Sequence, residues 1–336
     1  MIHELSHSQL AEISTDILGA AVRNVSSVHG GGNNSIYKIE SASAAYALKF
    51  YPSQSEDLRD RLGHEYGALE FLNANGIECI PTPIGCRRDQ GCALYEWVDG
   101  KRIDEVGISD VDALVDFLEQ LQSLRNANGV DKISPASASC FCPADVVGQL
   151  LDRLVRIEHE AVKSKALGAF LSNYIRPSAE TVMDGVKERC RAEGIDFNTP
   201  MPWASRALSP SDFGFHNALK DKAGRIVFID FEYFGWDDPA KMISDLMWHP
   251  GMNLPDGMAG YFRDRMSSYF GPQDPELSLR LNLLSPLFGL IWCLILLNEF
   301  LPERWARREA AGHVDAETSR NRQLQKASTL YQRLNV

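Results

Sequence analysis

An aspartate, an asparagine and a second aspartate follow one another at short spacing in the middle of the chain. Asn217 comes five residues after Asp212, and Asp230 closes the apolar run 226–229, thirteen residues after that asparagine. A carboxylate can orient and deprotonate a hydroxyl group, while carboxylate and amide oxygens are suitable ligands for Mg²⁺. Phosphoryl transfer from a nucleotide requires these groups. The spacing therefore predicts a catalytic loop with Asp212 as base and a metal-binding strand, with Asn217 and Asp230 as ligands.

Asp212 taken alone has a second interpretation. It follows Ser209-Pro210-Ser211, and an aspartate in such a context is often a turn former or a helix cap. Asn217 and Asp230 favour the catalytic role. If two strands joined by a turn lie between them, their oxygen atoms would come close enough to bind a hard cation. Glu232 would share the face of Asp230 in an extended chain. It could serve a second metal ion or the substrate, or simply be exposed to solvent.

A glycine-rich loop precedes the first predicted strands. It comprises Gly30, Gly31, Gly32, Asn33, Asn34 and Ser35. Glycines let backbone N–H groups approach phosphates closely, although such a run is also typical of a plain β-turn. The loop differs from a P-loop, because no Gly-Lys-Ser/Thr sequence leads into a helix. Its place before a strand pair with a central lysine favours phosphate binding.

That lysine is Lys49, which lies among apolar residues in the strand-like run 46–51. A buried lysine needs a partner, and a nucleotide site provides phosphate oxygens and a helix glutamate. The alternative is an edge-strand lysine that faces solvent. Glu65 lies sixteen residues later in a helix predicted over 56–75, and is the favoured ion-pair partner. Its competitors are Glu56, Asp57 and Glu70.

The composition is that of an ordinary globular protein. The chain has 336 residues, 44% of them hydrophobic and 24% charged, which is long enough for two domains. A net charge of −11 argues against nucleic acid as a partner. The seven cysteines show no CxxC pair, and the N-terminal residues lack the pattern of a signal peptide. We therefore expect reduced thiols and a cytoplasmic location.

One segment, 281–301, is apolar enough to suggest a membrane helix. Its uninterrupted apolar part, 287–297, has only eleven residues, whereas a spanning helix needs about twenty. The segment is therefore predicted to be a buried core helix, and we expect no membrane partner.

The patterns along the chain predict an α+β protein of two domains. Residues 1–98 form a β-rich nucleotide-binding domain with one helix, which ends in a hinge whose backbone groups bind the adenine edge. Residues 99–336 are predicted to form a larger helical domain with the catalytic loop and the metal-binding strand. The hinge residues are Glu96, Trp97 and Val98. The predicted helices of the second domain cover 109–125, 144–175, 178–193, 239–248, 256–270, 276–300 and 315–334.

These residues together resemble the aminoglycoside phosphotransferases and the choline and ethanolamine kinases. The resemblance spans nearly the whole chain, and Ile229-Asp230-Phe231-Glu232-Tyr233 is similar to the choline-kinase form of the metal-binding strand. It implies a bilobal protein-kinase-like fold, ATP and Mg²⁺ as cofactors, and Lys49 at the α- and β-phosphates. It also implies that the helical part of residues 99–336 contains the acceptor-binding region. The implied reaction is phosphorylation of a hydroxyl group on a small molecule, namely a choline-like amino alcohol, a sugar or an amino sugar.

The chain departs from the family pattern in three places. Pro210 stands where a histidine is usual, and Ser211 replaces the usual glycine or arginine. After Asp238-Pro239 the next aspartate is Asp245 rather than residue 242. These departures favour a metabolic kinase over an antibiotic-resistance enzyme. An inactive kinase-like scaffold or regulatory protein is the alternative, while the acceptor, GTP as donor and the oligomeric state stay open.

Overall fold

The computed structural model describes residues 5–28, 35–52, 59–252, 254–255, 257–310 and 315–334. The fold is α+β as predicted, with an antiparallel sheet near the N-terminus and a larger helical part towards the C-terminus. Two compact units are present. The first contains Met1–Glu105, Gln120–Ile133 and Asp212–Phe234, and the second contains Val106–Glu119, Ser134–Ser211 and Gly235–Val336. The segment that carries the catalytic motif thus groups with the N-terminal sheet, while the functional division at residue 98 stays a prediction.

Ten strands form three small antiparallel sheets in the described part of the chain. The strands are β1 (Val22–Val28), β2 (Ser35–Ser41), β3 (Ala45–Phe50), β4 (Pro83–Arg87), β5 (Cys92–Glu96), β6 (Gly100–Arg102), β7 (Ala207–Ser209), β8 (Ala218–Asp221), β9 (Ile226–Phe228) and β10 (Gly235–Asp237). The largest sheet has the order β1-β2-β3-β5-β4, and the others are β6-β8-β9 and β10-β7. Lys49 pairs with Ile36 on one side and Ala93 on the other. It therefore lies in the middle strand of the large sheet.

The helices of the described residues are α1 (His7–Leu18), α2 (Arg61–Ala74), α3 (Ile108–Ser123), α4 (Pro143–Ala161), α5 (Lys165–Phe170), α6 (Arg176–Glu193), α7 (Pro239–Trp248), α8 (Met258–Phe270), α9 (Leu277–Leu296), α10 (Pro302–Ala310) and α11 (Ala316–Gln332). Helix α1 was not predicted. It packs against β1 and β4, and Leu10 joins the core under the sheet. Its sequence signal is a capping box, in which Ser6 and Gln9 exchange hydrogen bonds at the helix start.

The predicted helices over 144–175 and 178–193 are wrong in their boundaries. Helix α4 ends at Ala161, and a new helix begins after Ser164, whose side chain caps the N–H of Leu167. A π-helical turn at Leu171–Ile175 then leads without a break into α6. Pro177 has no N–H to donate, and the wider turn directly before it lets the helix pass through the proline.

The apolar segment suspected from the sequence forms helix α9. By length and composition, Leu277–Phe300 is the one candidate for a membrane span among the described residues, but 67% of its apolar window is buried within the protein. In the second unit it packs against α4, α6, α7 and α11. These contacts are those expected of a core helix, and the absence of a membrane partner stays a prediction.

Buried charges surround the start of helix α7. Lys241 is ion-paired with Asp237 (3.2 Å) and with Asp245 (2.6 Å), and all three side chains are largely buried. Asp238 caps the helix through the N–H of Ala240. Asp245, the next aspartate after Asp238 in the sequence, is thus held by a buried ion pair with Lys241.

Candidate active site

The predicted catalytic loop and metal-binding strand are the two ends of a short β-hairpin. Asn217 directly precedes β8, and Asp230 comes two residues after the end of β9. The register pairs Ala218 with Phe228, and the N–H of Ile229 donates to the carbonyl oxygen of Asn217 (2.9 Å). The hairpin therefore brings Asn217 and Asp230 to the same end, where two metal ligands would have to meet.

Asp212 lies at the start of this loop, and its side chain is 38% exposed. Its Oδ1 lies 3.1 Å from Nε2 of His216, and its backbone carbonyl accepts a hydrogen bond from the side-chain amide of Asn217 (2.9 Å). Because that amide nitrogen is used as a donor, the side-chain oxygen of Asn217 is the atom suited to a cation. The loop thus presents a partly open carboxylate beside a fixed amide.

Lys49 joins two of the predicted site residues. Its Nζ lies 2.6 Å from Oε2 of Glu65 and 2.7 Å from Oδ1 of Asp230. The side chain is buried, with 6% of the residue exposed, so the solvent-facing edge lysine considered from the sequence is wrong. Burial disfavours the charge, but the carboxylates of Asp230 and Glu65 outweigh it and raise the pKa of Lys49. The ammonium is held charged at the point where nucleotide phosphates are predicted to bind.

Glu65 is the glutamate that the structure selects for this pair. Among its competitors, Glu70 is exposed on α2, and Glu56 and Asp57 lie outside the described residues. Burial raises the pKa of Glu65 to about 7, although the ammonium of Lys49 acts in the opposite direction. The pair is therefore desolvated and specific rather than a surface contact.

Glu232 is buried, which rules out the solvent-exposed role. Its Oε1 lies 2.5 Å from Nη1 of Arg61, and the two residues are 3% and 1% exposed. Carboxylate oxygens of Glu65, Asp230 and Glu232 all lie within 4.8 Å of one another, and the three could hold a metal ion. Lys49 and Arg61 already supply positive charge to this group. The two other roles of Glu232, at a second metal ion or at the substrate, stay predictions.

Asp230 has a backbone conformation that is rare for a residue with a side chain. Its φ is 69°, in the left-handed region that costs non-glycine residues energy. Ser211, the residue before the candidate base, has a φ of 66°. Strained residues persist where the surrounding structure fixes them, and they are concentrated at functional sites. The two positive φ values therefore mark both ends of the candidate site.

The predicted nucleotide loop and hinge are covered only in part. Gly30, Gly31, Gly32, Asn33 and Asn34 lie outside the described residues, and Ser35 is the first residue of β2. In the hinge, the N–H of Glu96 donates to the carbonyl of Thr82 (2.8 Å), and the N–H of Trp97 donates to that of Ala45 (3.2 Å). Two of the hinge donors are therefore used within the unit itself.

Two tyrosines and one arginine of the site were missed from the sequence. The hydroxyl of Tyr51 contacts Glu65 and the hydroxyl of Tyr95, while Arg61 pairs with Glu232. A signal was present in two of the three cases. Tyr51 comes two residues after Lys49 in an extended chain, and Arg61 lies four residues before Glu65 on a helix, so each shares a face with a predicted residue.

Comparisons with known proteins show a sequence family and several solved structures that the chain resembles. The sequence model of the phosphotransferase enzyme family matches residues 24–178. Solved structures of choline kinase LicA from Streptococcus pneumoniae and of spectinomycin phosphotransferase APH(9)-Ia, the latter with ADP and spectinomycin, are similar along nearly their whole length. The predicted family resemblance is confirmed. The match to the phosphotransferase family model covers Lys49, Glu65 and the hinge, and it ends before Asp212.

The structural likeness extends over the rest of the chain. The choline kinase is 18% identical, with 96% of this chain and 98% of that chain covered and a TM-score of 0.59. The spectinomycin phosphotransferase is 14% identical, with 98% and 100% covered and a TM-score of 0.60. An ethanolamine kinase from Plasmodium vivax is 16% identical, with 93% and 82% covered and a TM-score of 0.54. No curated protein sequence matches the chain. At these identities the likeness establishes the protein-kinase-like fold.

Proposed function

We propose that the protein is a phosphotransferase that moves the γ-phosphoryl group of ATP to a hydroxyl group of a small molecule. The observation that carries this proposal is the double ion pair of Lys49, which links Glu65 on a helix to Asp230 after the hairpin. A buried lysine held between these two carboxylates is the arrangement that kinases use to bind nucleotide phosphates. The phosphotransferase family match and the kinase-like fold support the same reaction.

Asp212 is the group proposed to take the proton from the acceptor hydroxyl. Its carboxylate is partly exposed and lies beside His216, and the amide of Asn217 fixes the backbone from which it projects. A carboxylate so placed orients the hydroxyl and accepts its proton as the new bond to phosphorus forms. His216 is thus a neighbour of the base in a chain that has Pro210 where the family usually has a histidine.

Mg²⁺ fits the donor set at the end of the hairpin. The side-chain oxygen of Asn217 and the carboxylate of Asp230 are hard oxygen ligands, and few protein ligands are usual for this ion at nucleotide sites. Bound there, Mg²⁺ would neutralise charge on the phosphates. Lys49 adds a fixed positive charge beside Asp230, and Glu65 keeps the lysine from swinging away.

The adenine edge is proposed to meet the hinge at Val98. The N–H groups of Glu96 and Trp97 donate within the unit, so the base would be bound by the Val98 amide and by hinge carbonyls. The glycine loop 30–35 remains the proposed cover of the phosphates. A cytoplasmic location and the absence of nucleic-acid and membrane partners stay predictions.

Amino alcohols of the choline type and sugars or amino sugars are equally supported as acceptors. The similar structures include kinases named for choline and ethanolamine and a phosphotransferase named for spectinomycin. The test is ADP release across a panel of these acceptors, with the wild type and with Asp212→Asn. Asp99→Asn is the matched control, because it removes a 73% exposed carboxylate that pairs with Lys222.

We expect the wild type to turn over at least one acceptor. Turnover of that acceptor should fall by roughly a thousandfold or more in Asp212→Asn and should be unchanged in Asp99→Asn. Binding of ADP should persist in Asp212→Asn, because the nucleotide contacts are proposed to lie at Lys49 and the hinge. Near wild-type turnover in Asp212→Asn would show that Asp212 is not the base. ATP binding without turnover on any acceptor would instead favour the nucleotide-binding scaffold.

A further inference from the structure

Tyr51 touches both members of the ion pair that lies at the centre of the candidate site. Its hydroxyl donates to Oε2 of Glu65 at 2.8 Å, and this same oxygen accepts from Nζ of Lys49 at 2.6 Å. Its ring lies beneath the lysine, with Nζ 5.2 Å from the ring centroid. Only 5% of Tyr51 is exposed. One buried side chain therefore contacts the ammonium with its ring and the carboxylate with its hydroxyl.

A second buried hydroxyl fixes the direction of the first. The hydroxyl oxygens of Tyr51 and Tyr95 lie 2.7 Å apart. A phenol has one hydrogen to donate, so Tyr51, which donates to Glu65, accepts from Tyr95. Tyr95 is the residue directly before the hinge residue Glu96. A chain of hydrogen bonds thus runs from the edge of the hinge through Tyr51 and Glu65 to Lys49.

These contacts restrict a side chain that is otherwise flexible. A lysine has four rotatable bonds and presents a point charge. Here its ammonium is approached by Glu65, by Asp230 and by the face of the Tyr51 ring, which attracts a cation within about 6 Å. In a buried setting these interactions are stronger than in water. The position of the charge is therefore set before any nucleotide arrives.

We propose that Tyr51 is a positioning residue for nucleotide phosphates, which acts through Lys49 and Glu65. The proposal rests on the proposed function, because it takes Lys49 to be the phosphate-binding group. Tyr51 itself touches no phosphate. Its hydroxyl keeps Glu65 turned towards Lys49, and the face of its ring attracts the ammonium.

The test compares two ligands that differ only in their phosphates. The affinities of ADP and adenosine, each with Mg²⁺, are measured by competition against a fluorescent nucleotide. Tyr51→Phe keeps the ring and removes the hydroxyl. We expect its ADP affinity to fall about tenfold, the usual effect of losing a hydrogen bond to a charged group, while its adenosine affinity is unchanged. A purely structural role would change both affinities or neither.

Two further variants provide the controls. Tyr66→Phe removes a hydroxyl from the same helix as Glu65, at a tyrosine whose ring lies 6.2 Å from that of Tyr95, and should leave both affinities unchanged. Tyr95→Phe leaves the contact between Tyr51 and Glu65 in place and should weaken ADP by a smaller factor than Tyr51→Phe. It also serves as the test if Tyr51→Phe does not fold.

A double-mutant cycle isolates the route of the effect. In a Lys49→Met background, Tyr51→Phe should cause no further loss of ADP affinity, because the group through which it acts has gone. An equal loss in that background overturns the proposal, as does an unchanged ADP affinity in Tyr51→Phe when the wild type binds ADP. A wild type that binds neither ADP nor ATP overturns the proposed function, and the role of Tyr51 with it.

Discussion

Arg61 and Glu65 lie four residues apart on helix α2, so their side chains leave the same face of the helix. Arg61 pairs with Glu232, and Glu65 pairs with Lys49, which in turn pairs with Asp230. The helix is therefore joined to the segment after the hairpin by two sets of ion pairs. Arg61 supplies a cation from the helix to a buried pair, and Glu65 supplies an anion that reaches the partly exposed Asp230 through Lys49. Rotation of the helix would break one of them, so the helix and the proposed metal-binding segment are positioned as one body.

Removal of one member of the pair between Arg61 and Glu232 should be strongly destabilising. Arg61→Met removes the buried guanidinium that lies 2.5 Å from Oε1 of Glu232, and we expect the free energy of unfolding to fall by about 3 kcal/mol. Urea denaturation followed by circular dichroism measures this change. The double variant Arg61→Met/Glu232→Met removes both charges and keeps similar volumes, so it should recover much of the loss. A double variant as unstable as the sum of the single ones would contradict the buried pair.

The left-handed backbone of Asp230 predicts a difference between two variants that both lack its carboxylate. Asp230→Ala keeps a Cβ at a φ of 69°, whereas Asp230→Gly has none. The glycine variant should be the more stable by about 1 kcal/mol. Both variants should lose turnover, because each removes the proposed Mg²⁺ ligand. Thermal unfolding and ADP release are measured in parallel; equal stabilities would mean that the backbone is not strained here.

Asn217 is proposed to supply an oxygen to Mg²⁺ and an N–H to the backbone of Asp212, and two substitutions separate these roles. Asn217→Ala loses both, and the Mg²⁺ concentration for half-maximal ADP release should rise by at least about tenfold. Asn217→Asp keeps an oxygen ligand and loses the N–H donor. Its Mg²⁺ concentration for half-maximal ADP release should therefore stay near the wild-type value, while its kcat falls. Mg²⁺ titrations at saturating ATP decide between these outcomes. The same Mg²⁺ requirement in both variants would exclude Asn217 as a ligand.

Protonation of Asp237 should make the free energy of unfolding depend on pH. Burial raises the pKa of this carboxyl group from its ordinary 3.8 to about 6, against the opposing effect of Lys241. Between pH 4 and 6 the folded state therefore holds a proton that the unfolded state releases, so rising pH lowers stability. The free energy of unfolding falls by roughly 3 kcal/mol over this range, and the fall is complete above pH 6.

Asp237→Asn cannot titrate and serves as the reference for that contribution. The free energy of unfolding is measured for both proteins from pH 4 to pH 7. The stability of the wild type relative to Asp237→Asn should be greatest at pH 4 and should decline through the window. A constant difference across the range would show that the carboxyl group titrates alike in the folded and unfolded states.

Much of the site followed from residue types and spacing, because kinase chemistry leaves few alternatives for a buried lysine, a loop aspartate and an asparagine. The sequence could not show which neighbours hold them in place. Tyr51, Tyr95 and Arg61 are ordinary core residues by type, and their roles depend on contacts between segments far apart in sequence. The left-handed φ of Asp230 is likewise invisible, since local preference alone would favour an extended backbone there.

The errors in helix boundaries have a similar origin. The predicted helices 144–175 and 178–193 followed apolar periodicity, whereas the π-helical turn Leu171–Ile175 joins α5 to α6 without a break before Pro177. The alternation of side chains in an extended chain placed Glu232 on the face of Asp230 and gave no sign that it is buried. Its burial depends on the ion pair with Arg61 on helix α2. Local sequence rules therefore predicted most helices and strands, while tertiary contacts determined which charged residues are buried and which partners they pair with.

The hairpin between Asn217 and Asp230 bears on how related proteins can be found. These two residues lie at the same end of the hairpin because Ala218 is registered against Phe228, and the turn at the other end, with Gly224 at a φ of 83°, does not affect that alignment. Residues added at the turn would lengthen the interval between the proposed ligands and leave both at the same end of the hairpin. A slip of one strand by a single residue would turn a ligand to the opposite face. The number of residues that separates them is therefore a poor search criterion, and the apolar residues that lead into each ligand are a better one.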